Sequence, residues 1–226
     1  MGRTVLNKHQ IAGRIGYQRL QANHPDKLRE IRSKGGRVAI ELNRKKYPTR
    51  TPTEINEKFC ELLGAMFGDG CLIYLGKGKK FIALSGNYRN DYGYLNILNE
   101  WFEELFGRTA RIRKEKNKNS ALMQFCSKDV FEFFVRHGMP IGRKKGKLTV
   151  PYWINAAPER FRKAFLRGLF DTDGGIYLGP SKRIHFYSID EPFIKEVTRM
   201  LAEPDSSQLS SIGKARRQST FVAYHK

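Results

Sequence analysis

Two acidic residues lie where two similar helical segments end. Residues 62–70 (LLGAMFGDG) place Asp69 before a glycine, and residues 166–174 (LRGLFDTDG) place Asp173 in the same way. The C-terminal end of a helix carries partial negative charge, so a carboxylate there costs roughly 0.3 to 1 kcal/mol. Its recurrence at matching positions indicates compensation by a bound cation, because carboxylate and carbonyl oxygens are the ligands of Mg²⁺ and Ca²⁺. For either segment alone, an Asp-Gly turn before a strand is the simpler explanation.

Small residues four positions apart precede both acids. Gly64 and Gly68 lie in the first segment, and Gly168 and Thr172 lie in the second. Such residues let two helix backbones approach closely, and a crossing at this point would bring the two carboxylates to the same or adjacent divalent ions. Carboxylates that hold divalent ions beside a phosphate are used for phosphodiester hydrolysis. The spacing therefore predicts a cation site of this kind.

Alternating helix and strand patterns surround the first acid. The capping box from Thr51 to Glu54 predicts the start of a helix with apolar residues at helical spacing up to Met66. Two strand pairs and two further helices follow. The predicted elements are strands at 71–75 and 81–85, a helix from 90 to 107, strands at 109–114 and 121–125, and a helix at 128–136.

The same order of elements begins again at Pro158. The second set comprises a helix that ends at Asp173, strands at 176–178 and 184–188, a helix from about 190 and a last strand at 220–224. No final helix is predicted, so we expect the second set to be truncated. The expected divisions are a marginally structured basic arm at 1–52, a first repeat at 53–140, a linker at 141–157 and a second repeat at 158–226.

The paired segments resemble the repeated signature of the LAGLIDADG homing endonuclease family, from about residue 53 to the end of the chain. Residues 138–147 (GMPIGRKKGK) and 150–154 (VPYWI) are similar to the junction between repeats in single-chain members. The resemblance implies an α+β fold with two pseudo-symmetric αββαββα repeats, the second lacking its last helix. It also implies a monomer whose antiparallel sheets form a saddle on duplex DNA.

The resemblance further implies a catalytic site. Asp69 and Asp173 match the catalytic, metal-binding acids of the family, and the backbone carbonyls of Gly68 and Thr172 would be further ligands. Mg²⁺ or Mn²⁺ would support cleavage of both strands, whereas Ca²⁺ is expected to bind without supporting it. Asp171 has no acidic counterpart in the first signature, where Phe67 stands, so we interpret it as structural.

Basic side chains near the scissile phosphates are another family feature. Lys80 and Lys182 are the candidates for this catalytic role, with Lys79 as an alternative to Lys80, and each could instead be an exposed hairpin lysine. Side chains on the sheets are expected to contact the DNA, some of them at base edges. The full set of candidate DNA contacts is Lys79, Lys80, Arg111, Arg113, Lys114, Gln124, Lys182, Arg183, Lys214, Arg216 and Arg217.

The composition agrees with a nucleic-acid partner. The chain has 226 residues with 42 Lys and Arg against 22 Asp and Glu, a net charge of +20. Phosphate neutralisation supplies much of the affinity for nucleic acid, so a polyanionic partner is expected. A membrane surface is the rival polyanion. The basic arm is expected either to contact flanking DNA or to be a solvated leader.

Several other classes of protein are disfavoured. No apolar run approaches the ~18 residues of a spanning helix, and the charged N-terminal residues do not form a signal peptide. The three cysteines lack C-x-x-C spacing, which argues against a disulfide framework or a zinc site. We therefore expect a soluble intracellular protein, cytoplasmic in a prokaryote and organellar in a eukaryote.

Two functions remain open. The first is a site-specific homing endonuclease, encoded in an intron or other mobile element, that makes a double-strand break in a long asymmetric DNA site. The alternative is a catalytically inactive DNA-binding regulator or RNA maturase on the same fold, for which intron RNA is a candidate partner. Retention of both acids favours the enzyme, because carboxylates beside phosphates repel them.

Overall fold

The computed structural model describes residues 7–116, 118–177, 183–202 and 220–224. The chain divides into two compact units, one up to Pro48 and one from Thr49 onward. In the first unit, α1 (Lys8–Asn23) begins with a capping box in which Asn7 and Gln10 exchange side-chain to backbone hydrogen bonds, and α2 (Pro25–Lys46) follows. Among the described residues, no helix is both long and apolar enough to cross a bilayer.

The first repeat has the predicted order of elements. The elements are α3 (Glu57–Gly68), β1 (Gly70–Leu75), β2 (Lys79–Asn87), α4 (Tyr92–Phe106), β3 (Arg111–Lys114), β4 (Ser120–Cys126) and α5 (Lys128–Arg136). Its four strands form an antiparallel sheet in the order β1-β2-β4-β3. Alternate residues of β4 are buried, as expected for a sheet with one face covered by helices.

The predicted start of α3 is wrong. The helix begins at Glu57, and the side chain of Asn56 caps it by accepting a hydrogen bond of 2.9 Å from the Phe59 amide. Asparagine is among the best N-cap residues. The Thr51 to Glu54 motif therefore lies in the preceding loop. Asn56, which is closer to the apolar run, is the residue that caps the helix.

The second repeat is shorter. A short helix, α6 (Tyr152–Asn155), lies in the linker, and the elements of the second repeat are α7 (Glu159–Asp173), β5 (Gly174–Tyr177), β6 (Arg183–Tyr187), α8 (Glu191–Ala202) and β7 (Thr220–Tyr224). The antiparallel pairing expected for the sheet holds for β5 and β6, whereas β7 pairs with β6 in parallel. A parallel neighbour requires a crossover connection, and α8 lies between these two strands in the sequence. The described residues contain no counterpart of α5 in this repeat.

Helices α3 and α7 pack backbone against backbone, as the small residues predict. A Cβ atom added at Gly64 would collide with the carbonyl oxygen of Phe165, and one added at Gly168 would collide with the carbonyl oxygen of Glu61. Phe67 and Phe165 stack edge to face beside this crossing, with ring centroids 5.3 Å apart. The α+β fold is thus confirmed, and its two signature helices form the contact between the repeats.

Aromatic side chains fill the core beneath the first sheet. Phe59, Phe102 and Phe134 are fully buried, and Phe59 lies 6.3 Å from the stacked ring of Trp153. The indole nitrogen of Trp153 donates a hydrogen bond of 3.2 Å to the carbonyl of His137, so its polar atom is satisfied. This packing holds the start of α3 against the first repeat and the linker.

Candidate metal and nucleic-acid site

The two predicted acids lie at the adjacent ends of α3 and α7. Asp69 directly follows α3 and precedes β1, and Asp173 is the last residue of α7. A Cβ atom at Gly68 would be 3.3 Å from Oδ2 of Asp173, so that carboxylate lies beside the Gly68 backbone. The amide and the hydroxyl of Ser85 both donate to the Asp69 carbonyl at 3.2 Å, which attaches the end of α3 to β2.

The surroundings of both acids disfavour their charged forms. Burial raises the pKa of Asp173 to about 6, and the negative charge of Asp69 contributes to that rise. Burial also raises the pKa of Asp69, while the positive charge of Lys144 opposes that change. A desolvated pair of carboxylates is stabilised by a cation that lies between or beside them.

A lysine that the sequence analysis did not select supplies positive charge here. The Nζ atom of Lys144 donates to the carbonyl of Phe67 at 2.9 Å and also to the carbonyl of Gly68. Burial lowers the pKa of Lys144, whereas the charges of Asp173 and Asp69 raise it. The sequence signal for Lys144 is the basic run at 143–147, which by itself indicates only the junction between the repeats.

The linker loop that carries Lys144 is anchored on both sides. The Gly142 amide donates to the carbonyl of Leu72 in β1 at 2.7 Å, and the Gly146 amide donates to Oδ1 of Asp190 at 2.6 Å. Both glycines have left-handed backbones, with φ of 76° and 74°, a conformation that side chains disfavour. Asp190 is only 5% exposed and also accepts from the Leu148 amide. The loop backbone is therefore held between the two repeats.

A cavity of about 250 Å³ opens beside these groups. Its lining includes Gly68, Lys144, Asp173 and Ser188. Lysine and carboxylate groups thus face the same space. The volume is sufficient for a hydrated ion or a phosphate group, since one water occupies about 30 Å³ in the liquid.

The donor set fits a hard divalent cation with few protein ligands. No cluster of three or more His, Cys, Asp or Glu side chains suited to a metal is found in the described parts of the chain. Mg²⁺ commonly binds through one or two carboxylates, with waters and substrate phosphates completing its octahedron. Asp69 and Asp173 meet that requirement. The carbonyl of Gly68, one of the two predicted backbone ligands, is already bonded to Lys144.

The second repeat matches a known family. The model of a LAGLIDADG-like domain matches residues 160–212, which include Asp173. Residues 160–212 are thus similar to a LAGLIDADG-like domain. The resemblance inferred from the paired segments is confirmed.

Three longer archaeal proteins are similar in sequence to part of this chain. The chain is 30% identical over 137 residues to an A-type ATP synthase protein of Pyrococcus abyssi, a match that covers 61% of this chain and 12% of that protein. It is 26% identical over 160 residues to a DNA polymerase of Thermococcus litoralis, covering 66% and 8%. It is 31% identical over 122 residues to the tRNA-splicing ligase RtcB of P. abyssi, covering 51% and 13%. The chain spans about an eighth or less of these proteins.

Solved LAGLIDADG structures are also similar. The homing endonuclease I-DmoI in complex with DNA and Mn shares 15% identity, with a TM-score of 0.47 over 64% of this chain and 76% of that chain. The LAGLIDADG meganuclease I-CpaMI bound to uncleaved DNA shares 11% identity, with a TM-score of 0.34 over 58% of this chain and 65% of that chain.

The structure does not bring Lys80 to the acids of the LAGLIDADG site. Its ammonium forms an ion pair with Glu132 on α5 and lies 5.7 Å from the ring centre of Phe131. Lys80 alternates with Lys79 along β2, so the two side chains leave opposite faces of the sheet. The catalytic role assigned to Lys80 is therefore corrected: its side chain turns toward α5, whereas the exposed Lys79 remains a candidate for DNA contact.

Three predicted DNA contacts share the open face of the first sheet. Arg111 is paired with Gln124 across β3 and β4, and Arg113 is paired with Leu122. The alternate residue Met123 is buried against the helices, so these side chains point the other way. Gln124 is paired in turn with Ala83 of β2, on the same face as Ser85, which is bonded to Asp69.

The remaining candidates differ in their placement. Lys114 alternates with Arg113, and its ammonium lies 4.5 Å from the ring centre of Tyr88, so it does not share the open face. Arg183 begins β6, where its backbone is paired with Tyr177. Four predicted contacts lie outside the described residues, namely Lys182, Lys214, Arg216 and Arg217.

The sequence analysis also missed an ion pair between the two signature helices, in which a buried glutamate meets a half-exposed arginine. Oε2 of Glu61 on α3 accepts a hydrogen bond of 2.6 Å from Nε of Arg167 on α7, and Glu61 is only 5% exposed. Burial raises the pKa of the neighbouring Asp171, and the positive charge of Arg167 opposes that rise. The sequence signal for this ion pair is Glu61, an acid among the apolar residues of α3. Asp171 lies on the α4 side, near Tyr94.

Proposed function

We propose that this protein is a metal-dependent DNA endonuclease that makes a double-strand break in a long asymmetric site, as a homing endonuclease does. The observation that carries the proposal is the meeting of Asp69 and Asp173 at the ends of two crossing helices. Each carboxylate is partly desolvated, both offer hard oxygen ligands, and Asp173 lines the adjacent cavity. A site that only binds DNA gains nothing from two acids beside phosphates.

Asp69 and Asp173 would hold Mg²⁺ or Mn²⁺, and Ca²⁺ would bind without supporting cleavage. The ion supplies charge neutralisation at the scissile phosphate and a more acidic bound water. The chain supplies the remaining parts. The helix crossing sets the separation of the carboxylates, Ser85 fixes the backbone of Asp69, and Lys144 reduces the repulsion between the acids and an approaching phosphate.

The open face of the first sheet would contact the DNA. Arg111, Arg113 and Gln124 lie on this face and can donate to base edges in the major groove. The second sheet has a different set of side chains, which supports an asymmetric target. Both acids come from one chain, which supports action as a monomer.

The comparisons support mobility of the encoding segment. The three relatives are named for ATP synthesis, DNA polymerisation and tRNA splicing, which are three different activities. The matched part is 8% to 13% of each protein. A segment shared by otherwise unrelated proteins is expected of a module that moves between genes, as homing requires.

The basic N-terminal unit is proposed as an additional DNA contact. Its two helices carry an excess of Lys and Arg, as in Arg29, Arg32 and Lys34 of α2. Removing residues 1–48 should lower the slope of log affinity against log salt by about 0.9 for each phosphate that the protein no longer neutralises. An unchanged slope would show that the unit does not touch phosphates.

A binding protein without nuclease activity is the second candidate. The ammonium of Lys144 already engages the Gly68 carbonyl and offsets part of the negative charge of the two acids, which favours a site that is partly compensated without a metal ion. Such a protein would act as a DNA-binding regulator or as an RNA maturase with intron RNA as its partner.

Cleavage of the uninterrupted insertion junction decides between the two candidates. The full chain is incubated with linear DNA that spans the junction, in Mg²⁺ and separately in Ca²⁺. We expect a double-strand break in Mg²⁺ only. Asp69→Asn and Asp173→Asn should each abolish it while DNA affinity in Ca²⁺ changes less than about threefold, equivalent to about 0.7 kcal/mol. The control Asp129→Asn alters an exposed carboxylate in the first turn of α5 and should cut normally. Binding without cleavage by the unaltered chain would leave the second candidate.

A further inference from the structure

The ammonium of Lys144 lies where the site would offer oxygen ligands to a bound cation. Nζ donates to the carbonyls of Phe67 and Gly68, which belong to the last turn of α3. Carbonyls in a last turn have no partner within the helix, and the helix end carries partial negative charge. One of them, the Gly68 carbonyl, was predicted to be a metal ligand. The lysine therefore satisfies groups that a metal ion would otherwise satisfy.

The same ammonium also interacts with both acids. Lys144 opposes the rise in the pKa of Asp69 and of Asp173, so its positive charge is close enough to stabilise both carboxylates. Carbonyl oxygens and two carboxylates around one positive charge form the environment of a bound cation. A divalent ion that reached the Gly68 carbonyl would meet this ammonium at short range, and like charges at short range repel strongly in a partly buried site.

The Lys144 ammonium can move away from the carbonyls of α3 without a change in the loop backbone. The backbone on either side of Lys144 is held by the Gly142 and Gly146 hydrogen bonds, but these bonds do not restrain the side chain. A lysine has a flexible four-carbon stem. The adjacent cavity of about 250 Å³ is lined by Lys144 itself and gives the ammonium a place to move.

We propose that Lys144 acts as a built-in cation that occupies a ligand position of the metal site, bonded to the Gly68 carbonyl, and that a divalent ion must displace it to bind fully. The proposal rests on the proposed function, because it takes Asp69 and Asp173 as metal ligands. It adds a competition between a side chain and the metal. The apparent affinity for metal then equals the intrinsic affinity multiplied by the fraction of metal-free molecules in which the ammonium is already displaced.

Metal binding by the full chain tests the competition without use of nuclease activity. Ca²⁺ is titrated calorimetrically into the DNA-free protein and into Lys144→Met. The variant should bind Ca²⁺ at least about tenfold more tightly, which corresponds to about 1.4 kcal/mol. The matched control is Lys145→Met, which removes an equal charge from an exposed neighbour that lines the same cavity. It should change the affinity less than about threefold, since it does not engage the Gly68 carbonyl.

The unaltered protein provides a second measurement that does not depend on the folding of a variant. Reductive methylation of lysines, followed by mass spectrometry, reports how accessible each ammonium is. Addition of Ca²⁺ should increase the methylation rate of Lys144 several-fold and leave Lys145 unchanged. A rate for Lys144 that is unchanged or reduced by saturating Ca²⁺ would overturn the proposal.

The metal site and the displacement of Lys144 can be rejected separately. Loss of Ca²⁺ binding in Asp69→Asn and Asp173→Asn, together with unchanged affinity in Lys144→Met, would reject displacement and keep the metal site. Ca²⁺ binding that is insensitive to both acid substitutions would reject the metal site of the proposed function, and the displacement with it.

Discussion

The strand pairs that follow the two acids have very different surroundings. In the first repeat, Leu72 of β1 faces Ile82 of β2, and these side chains are 0% and 2% exposed. In the second repeat, Ile176 of β5 faces Ile184 of β6, and these are 70% and 47% exposed. Helix α5 packs on β2 in the first repeat, whereas no helix of that kind follows β6 and α8 in the described residues.

The contrast shows that two similar acids of one chain can be held in place by different amounts of buried packing. Asp69 is followed by a strand whose inner face is buried under helices. Asp173 is held mainly by the packing of α7 on α3 and by the linker loop that Asp190 anchors. The contact between the helices therefore carries more of the stability at the second acid.

Truncation of one apolar side chain in each strand pair should produce the largest contrast. Leu72→Ala should lower the free energy of unfolding by about 3 kcal/mol, because it leaves a cavity in a packed core. Ile176→Ala should lower it by less than about 0.5 kcal/mol, because its side chain is mostly solvated already. Urea denaturation of the full chain measures both. Equal losses would mean that Ile176 is buried in solution and that the two pairs are equivalent.

Glycine substitutions should affect the contact between the repeats from both sides. Gly64→Ala and Gly168→Ala each place a methyl group against a facing backbone carbonyl, and each should cost about 2 kcal/mol. Gly93→Ala is the matched control in α4, where a Cβ atom meets nothing within 4 Å. It should stabilise the protein by about 0.5 kcal/mol, since alanine favours helix. Unfolding midpoints in urea report all three, and a tolerated Gly168→Ala would contradict backbone contact there.

The dependence of stability on pH should also separate the two acids. The pKa of Asp173 is raised to about 6 in the folded chain, so between about pH 4 and 6 the native state binds more protons than the unfolded state. The free energy of unfolding therefore falls as pH rises through this window, by about 2 kcal/mol from this group. Asp173→Asn should remove most of that fall in metal-free buffer, and Asp69→Asn should remove less. The same slope in Asp173→Asn as in the unaltered chain would refute the burial of this acid.

Arginine substitutions test whether both sheets contact DNA. Arg113→Ala should weaken DNA binding by about 1 kcal/mol or more at fixed salt if the open face of the first sheet reads the target. Arg183→Ala makes the corresponding change at the start of β6. Similar losses in fluorescence anisotropy titrations would indicate that both repeats bind. A loss confined to Arg113→Ala would restrict the contact to the first sheet, and Lys114→Ala serves as the control on its other face.

Local patterns in the sequence predicted the parts of the fold that depend on short-range periodicity. The helices and strands around Asp69 and Asp173 follow apolar spacing, and the crossing of α3 and α7 follows from small residues four positions apart. The start of α3 was misplaced because two capping signals, at Thr51 and at Asn56, lie within one turn and a half of each other. Choosing between them requires the tertiary contacts.

The features that were missed depend on contacts distant in sequence. Lys144 reaches the end of α3 only because its loop is attached to β1 and to Asp190, and neither attachment has a periodic signal. The pairing of Glu61 with Arg167 requires the register of two helices. Lys80 was assigned by its place in a hairpin, but the alternation of β2 turns it toward Glu132. The parallel pairing of β7 likewise follows from chain connection and not from strand propensity.

Anomalous diffraction from crystals of the full chain bound to its DNA in Mn²⁺ would locate the metal ion. We expect an anomalous peak within coordination distance of the carboxylates of both Asp69 and Asp173, with the Lys144 ammonium withdrawn from the Gly68 carbonyl. A structure in which no such peak touches either acid, with both carboxylates engaged only by protein side chains, would contradict this expectation.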